Sequence, residues 1–397
     1  MMPFFTTGWL PDGAVYGSFV LAWAAHFLAA HAYGALGRLS AGRRKTGSKA
    51  EAGSVPPVSV IIPAHDATES LRRNLPAILE QDYAGFEVIV VVDDTTSDAT
   101  GDLLKTLELR YPHLRHTILP PGSRHVSRSR LALSVGIKSA AHDWLLLTEA
   151  AYRPDSPLWL ATMARHFHPG TQMVLGYANR MRDGGRASRG IIFHDLFQQV
   201  HYLPWAAAHR AYRCNPAHVA YRKSLFMGHN GFAGDVRLNG GAVEVLVNRH
   251  SRKDNTEVAL EAEARLTRTD DEPVRTWRME GEAYLETRRH FVHTSGYRLA
   301  YGLRQASVSL FGLATLAAVA WALWRGHWIC AAAVVLLFVL LSVCKTVWFN
   351  RSARAVGEKP YHVPVLLWRE SGTLLRDFRT WVGYHARPRS RFYRKAF

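Results

Sequence analysis

The chain has 397 residues, 48% of them hydrophobic, and a formal net charge of +17. That length holds one sizeable core together with membrane segments. The positive charge gathers beside apolar stretches and in the C-terminal tail without any nucleic-acid-binding motif, so membrane phospholipid and a phosphate-bearing substrate explain it and nucleic acid does not. Three cysteines, Cys214, Cys330 and Cys344, have neither metal nor redox spacing and read as reduced packing residues.

Residues 1–36 comprise an N-terminal segment and a first transmembrane helix over 15–36, almost uncharged and long enough to cross a bilayer. It lacks the basic start of a signal peptide. His26 and His31 within it are expected to be neutral and packed. A basic linker fills 37–57. Strand and helix then alternate. A β-branched run at 58–62 reads as a buried parallel strand, and 67–81 as a helix with an awkward Pro76. A second strand, 87–92, ends at Asp93 and Asp94, and Thr96 or Ser97 caps the next helix. A strand at 116–119, a helix at 126–141 and a strand at 144–148 follow, the last ending at Glu149. This alternation predicts an α/β fold with a mostly parallel, doubly wound sheet, whose ligands bind beyond the carboxyl ends of the strands. Asp93, Asp94 and Glu149 lie at such ends.

Apolar stretches at 307–323 and 328–343, joined by Arg325, Gly326 and His327, predict a transmembrane hairpin within 301–348. The tail, 349–397, is basic; its stretch 365–384 suits a helix on an anionic membrane surface or one packed on other helices. Lys and Arg follow the first and third spans and are absent from 1–12. The positive-inside rule therefore predicts a multi-pass protein of the inner (plasma) membrane, with 37–306 and the C-terminus cytoplasmic.

Four stretches, "VSVIIPAHDATESLRRNLPAILEQDY", "FEVIVVVDDTTSDAT", "SRHVSRSRLALSVGIKSAAHDWLLLTEA" and "VAYRKSLF", resemble the membrane-anchored bacterial glycosyltransferases of family 2. The resemblance implies a GT-A fold, Rossmann-like with a mostly parallel sheet, in a cytosolic domain over 58–300 beside three transmembrane helices. It implies transfer with inversion from a nucleotide-diphosphate sugar, most often a UDP-sugar. It assigns Pro63, Ala64 and His65 to a loop, and Asp93 and Asp94 to a strand end, that together hold base and ribose. It places Arg124, Arg128 and Arg130 near the diphosphate. A carboxylate accepts from a uracil N–H or a ribose hydroxyl, and arginine's planar fork takes two phosphate oxygens. The plain alternatives are helix capping for the acids and a solvated face for the arginines.

The sequence departs from the family in two places. Where the family usually has two acids one residue apart, binding Mg²⁺ or Mn²⁺ on the diphosphate, Glu149 matches the first and Ala151 stands at the second. A hard ion needs several oxygens, so metal would bind here only weakly. In "NGGAVEVLVN", Gly241 matches the glycine before the family's acidic pair, leaving Ala242 and Val243 on the pair that carries the catalytic base. Glu244 is the displaced base candidate and Asp235 a weaker one. "ETRRHFVHTSGYR" resembles the basic segment after the base, where Arg288, Arg289 and His290 would face phosphate or acceptor, or else lipid headgroups. Pro216 and His218 stand where the family commonly has Gly and Asn. Two readings remain. One is a glycosyltransferase with an unknown acceptor, lipid-linked or polysaccharide. The other is an impaired pseudo-glycosyltransferase acting as a nucleotide-sugar-binding or partner subunit beside another membrane protein.

Overall fold

A computed structural model describes residues 9–46, 56–120, 127–181, 186–232, 241–270 and 274–386. Helix α1, Trp9–Ala30, passes through a 3₁₀ turn, His31–Gly34, into α2, Ala35–Thr46. The alternating region follows as β1 Val58–Ala64, α3 Thr68–Leu79, β2 Phe86–Val92, α4 Thr100–Arg110, β3 Leu114–Ile118, α5 Arg128–Ser139 and β4 Trp144–Leu147. Then come β5 Tyr152–Pro154, α6 Trp159–Ala164, β6 Met173–Gly176, β7 Ala178–Arg180, α7 Arg186–Ala208, β8 Val219–Arg222, α8 Lys223–Gly228, α9 Ala242–His250, β9 Thr256–Ala259, β10 Leu266–Arg268 and α10 Val274–Thr287. Three long helices close the chain: α11 Ser295–Trp324, α12 Trp328–Ala355 and α13 Val363–Ala386.

The main sheet has the order β3-β2-β1-β4-β8-β6-β9. Its first four strands are parallel, as the alternation predicts, and β8 runs antiparallel between β4 and β6. Strands β1 and β2 are buried on both faces, which is why they carry unbroken β-branched runs. A second sheet, β5-β10-β7, is built from strands of three residues each.

Local details differ from the sequence reading. Pro63 and Ala64 are not in a loop; they finish β1, with Pro63 opposite Val91, and the Asp93 N–H donates to Ala64 O at 2.9 Å. Only His65 follows the strand. Neither Thr96 nor Ser97 caps α4. Asp98 does this work: its Oδ1 accepts from the Thr100 N–H at 3.0 Å, and its Oδ2 from the Thr68 N–H at 2.9 Å, tying the starts of α3 and α4 together. Pro76 lies inside the last turns of α3, which runs on to Leu79, and the Glu80 N–H donates to Pro76 O.

Among the described residues, three helical stretches are long and apolar enough to cross a membrane: Pro11–Gly42, Ser295–Trp324 and Trp328–Ala355. Their outer faces are apolar and open, as with Leu316 (71% exposed) and Ile329 (86%). Gly326, at φ +73°, makes the tight turn between the second and third, with the His327 N–H donating to Ala322 O at 2.7 Å. Asp12 accepts from Trp321 Nε1 at 2.7 Å and so fastens the start of α1 to this turn. The helices outrun their apolar stretches because α11 buries Arg304 and Gln305, and α12 buries Lys345, against the chain itself. Cys330 and Cys344 are exposed on α12, so of the three cysteines only Cys214 packs inside. Helix α13 turns Leu366, Glu370 and Thr373 inward and leaves Trp368, Leu375 and Phe378 exposed.

Candidate active site at the carboxyl edge of the sheet

The end of β2 gathers three of the residues singled out in the sequence. Asp93 is buried; its Oδ1 accepts from the Thr95 N–H at 2.8 Å and from the Thr95 hydroxyl. Its Oδ2 accepts from Arg128 Nε at 2.8 Å, and Arg128 Nη2 donates to Asp94. Burial works against the Asp93 carboxylate, but Thr95 and Arg128 outweigh it and hold its carboxyl below the usual range. Arg128 can reach both acids because it opens α5, which Ser127 caps across the parallel sheet. Arg128→Ala is therefore expected to leave a buried carboxylate without its charged partner. Thermal unfolding in detergent should register a loss of about 1–3 kcal/mol.

The other arginines are placed differently. Arg130 is buried, 5% exposed, with Nη1 directed to Phe232 O at 3.4 Å, so it braces the interior instead of facing a ligand. Arg124 and Asp235 lie outside the described residues. His65 is half-buried, with Nε2 3.6 Å from Asp66 Oδ2. Asp66, at φ +44°, accepts from the Ser97 N–H at 2.8 Å and joins the turns after β1 and β2.

Glu149 follows β4, where its carbonyl accepts from the Tyr152 N–H at 3.0 Å. Asn74 Nδ2 donates to Ala150 O at 2.9 Å, and the Thr269 N–H to Ala151 O at 2.9 Å. The side chains of Ala150 and Ala151 pack against the core. Among the described residues, no group of three His, Cys, Asp or Glu could hold a metal ion. One carboxylate beside two packed methyl groups does not fit Mg²⁺ or Mn²⁺. The arginines near Tyr152 are paired with acids, Arg268 with Asp270 at 2.7 Å. Arg268 lies over the Tyr152 ring at 5.9 Å, and Arg180 pairs with Asp195 at 2.8 Å. Burial first, then the charge of Glu149, pushes the Tyr152 hydroxyl up. These arginines are not legible from sequence, because three-residue strands are too short to show a period.

The displaced carboxylate is well defined. Gly241 has φ +71°, and a Cβ there would lie 2.2 Å from Thr287 Cγ2, so only glycine allows α9 to start against the end of α10. Glu244, in the first turn of α9, is 6% exposed and 3.3 Å from Arg213 Nη2. Arg213 itself stacks on Tyr284 at 3.9 Å and Tyr202 at 5.5 Å. Burial raises the Glu244 pKa from 4.5, and Arg213 pulls back against it. Asn248 locks the helix: its Oδ1 accepts from the Val292 N–H at 2.9 Å, and its Nδ2 donates to Tyr212 O at 2.9 Å. Val243, at the family's acid position, is 3% exposed in the core. Of the basic segment, Arg288 and His290 share a 3₁₀ turn just after Thr287. Arg289 is turned away, with Nη1 3.3 Å from the Tyr384 hydroxyl on the tail helix.

His218 proves to be a packing residue. Trp159 Nε1 donates to its Nε2 at 3.1 Å, and its Nδ1 meets Tyr177 O at 2.9 Å. Burial drives its pKa down to about 4, so the ring is neutral. It lies so close to Gly176 that a Cβ there would fall 2.2 Å from the ring.

A family model, Glycosyl transferase family 21, matches residues 21–201. The probable glycosyltransferase YdaM of Bacillus subtilis (strain 168) is 30% identical over 131 residues, 33% of this chain and 28% of that protein. Over residues 21–201 the chain is similar to a glycosyltransferase family. Its match thus spans little more than a quarter of YdaM. The mannosyltransferase PcManGT of Pyrobaculum calidifontis, in complex with GDP-Man and Mn²⁺, shares the GT-A fold at TM-score 0.50 and 18% identity, covering 86% of this chain and 96% of that one. S. aureus TarS 1–349 with UDP-GlcNAc aligns at TM-score 0.43 and 13% identity, over 80% and 92% of the two chains. The segment matched by the family model takes in Asp93, Asp94, Arg128 and Glu149 and ends before Glu244.

Proposed function

We propose that the chain transfers a sugar from a UDP-linked or related nucleotide-diphosphate sugar to an acceptor hydroxyl, with inversion. The Glu244–Arg213 pair carries this reading: a buried carboxylate with a raised pKa, fixed at the start of α9. Raising a carboxyl pKa makes its carboxylate a stronger base. The acceptor oxygen attacks the anomeric carbon, Glu244 takes its proton, and the bond to the diphosphate breaks with its electrons leaving on the phosphate. Asp93 and Asp94 accept from base or ribose; Arg128, with N–H groups beyond those on the two acids, and Arg124 answer the phosphate charge. PcManGT carries GDP-Man and Mn²⁺. We take over the nucleotide-diphosphate sugar and route no step through a metal, since the residues around Glu149 do not fit one.

Orientation in the membrane belongs to the same proposal. The basic flanks after the first and third spans support a large domain and C-terminus in the cytoplasm, at the inner (plasma) membrane. Calorimetry with UDP tests the donor site. Asp93→Asn and Asp94→Asn should each weaken binding by about 1–3 kcal/mol, and Mn²⁺ should change wild-type affinity little. UDP binding that appears only with Mn²⁺ overturns the metal-free account. A second reading, a pseudo-glycosyltransferase subunit paired with another membrane protein, is favoured by Ala151 and by the hold of Arg128 on both acids. Wild-type protein that binds UDP-sugars yet neither transfers nor hydrolyses them with any acceptor decides for it.

A further inference from the structure

The tail helix α13 meets the rest of the chain through Glu370, Asp377 and Tyr384, spaced seven apart and so along one face. Glu370 accepts from Lys345 of α12 and from the Tyr33 hydroxyl in the turn after α1. Asp377 Oδ1 accepts from His194 Nε2 of α7 at 3.2 Å, and its Oδ2 from the Tyr301 hydroxyl of α11 at 3.2 Å. The Tyr384 hydroxyl donates to Glu286 of α10 and accepts from Arg289 Nη1 at 3.3 Å. Near this last anchor the two helices pass closely: a Cβ on Gly281 of α10 would lie 3.3 Å from Thr380 Cγ2. Helix α13 thus runs as a strap from α12 to α10, and the end of α10 is the surface against which α9 starts.

Only the middle anchor contains a histidine, the side chain that changes charge near neutral pH. His194 lies between two carboxylates. Asp377 is on its Nε2, and Asp195 Oδ1, from the next position of α7, is 3.7 Å from its Nδ1, close enough for charge attraction and too long for a hydrogen bond. Trp277 of α10 meets the ring edge-on at 5.1 Å and donates Nε1 to Asp195 Oδ1 at 3.3 Å. Arg180 of β7 pairs with Asp195 at 2.8 Å and lies 3.8 Å from Glu280 of α10. From α13, Arg376 donates to Gly190 O on α7 at 2.5 Å, and Arg369 crowds the same glycine. Burial works against the Asp195 carboxylate, but His194 and Arg180 outweigh it and hold its pKa to about 2, so Asp195 keeps its charge. Burial works against the charged ring as well; Asp195 and then Asp377 outweigh it and raise the His194 pKa from 6.5. A neutral imidazole donates from one nitrogen only, so a ring that loses its proton can serve only one of its two acids.

We propose that α13 is a pH-sensitive strap, gripped by α7 while the His194 ring is charged and slackened once the ring is neutral. The direction follows from linkage. Because the folded pKa lies above the unfolded one, the hold due to the charged ring is complete below the unfolded value and is lost as pH rises through the folded one. Alkaline conditions therefore loosen the middle of α13, while Glu370 keeps its start in place. The strap needs no sugar transfer, so it stands or falls apart from the proposed activity.

Hydrogen exchange of the full chain in maltoside micelles tests this, read as protection factors so that the intrinsic pH dependence of exchange drops out. From about pH 6 to about pH 9, protection of residues 374–386 should fall about threefold or more, while α5 keeps its protection. His194→Gln, a neutral donor at every pH, should leave the strap slack throughout, with no response to pH. Asp377→Asn should do the same. Asp377 is 40% exposed, so its variant carries the test if His194→Gln does not fold. Wild-type protection that stays level or rises with pH overturns the proposal. So does a response that survives in both variants, which would place the titrating group elsewhere, His385 being the other histidine of this helix. A fall shared equally by α5 would mean general unfolding and would overturn it too.

Discussion

Glu244→Gln is expected to lower kcat by a factor of about 10²–10⁴ while leaving UDP affinity unchanged. Glutamine keeps the shape and the contact with Arg213 but cannot take the acceptor proton. The wild-type protein should also show an acid limb. Its kcat/KM should fall as pH drops through the Glu244 pKa, which burial holds above 4.5 against the pull of Arg213, and the variant should lack that limb. Stability moves the other way. Because the folded pKa lies above the unfolded one, the stability tied to protonated Glu244 is present below the unfolded value and lost as pH rises through the folded one. Above the folded pKa the buried charge is a load, so there the variant should melt no lower than wild type. Wild-type turnover in Glu244→Gln, with the acid limb intact, would remove Glu244 from the chemistry and return the search to other carboxylates.

Where a segment's burial is uniform, its pattern was readable. β1, β2 and β4 are enclosed on both faces, so continuous apolar runs announced them, and the acids that end them were placed correctly at the carboxyl edge. The three apolar helices were readable for the same reason, though only over the part that lacks polar residues. What escaped notice depends on partners distant in sequence. Arg213 and Glu244 are 31 positions apart and meet only because Asn248 and Gly241 fix α9 between Tyr212 and Thr287. The resemblance places Arg130 near the diphosphate, yet the side chain is buried, with Nη1 directed to Phe232 O. Val243 stands where the resemblance puts one acid of the pair that carries the base. Its burial in the core means that an aspartate there would meet apolar neighbours before any substrate.

The second large effect concerns a buried ion pair where three helical segments meet. Lys345 on α12 and Glu370 on α13 are 3% and 1% exposed. Lys345 Nζ donates to Glu370 Oε2, and the Tyr33 hydroxyl, in the turn after α1, donates to Oε1. Both carboxylate oxygens are thus used, and the tail helix is fastened to the first and third membrane-crossing stretches at one point. Beside it, Ser352 Oγ donates to Tyr33 O at 2.6 Å and accepts from the Gly37 N–H at 3.1 Å. Removing one member strands a charge that water cannot reach, at a cost of about 3–5 kcal/mol. Removing both strands none. Lys345→Met and Glu370→Leu should each lower the melting temperature sharply in detergent, and the double variant should recover most of the loss. The recovery is the diagnostic result, because lost packing alone would make the two effects add. Single variants that melt like wild type would mean that water reaches the pair. A double variant as damaged as the sum of the singles would mean that the two residues act separately, and the fastening of α13 would then have to rest on Leu366 and Thr373 instead.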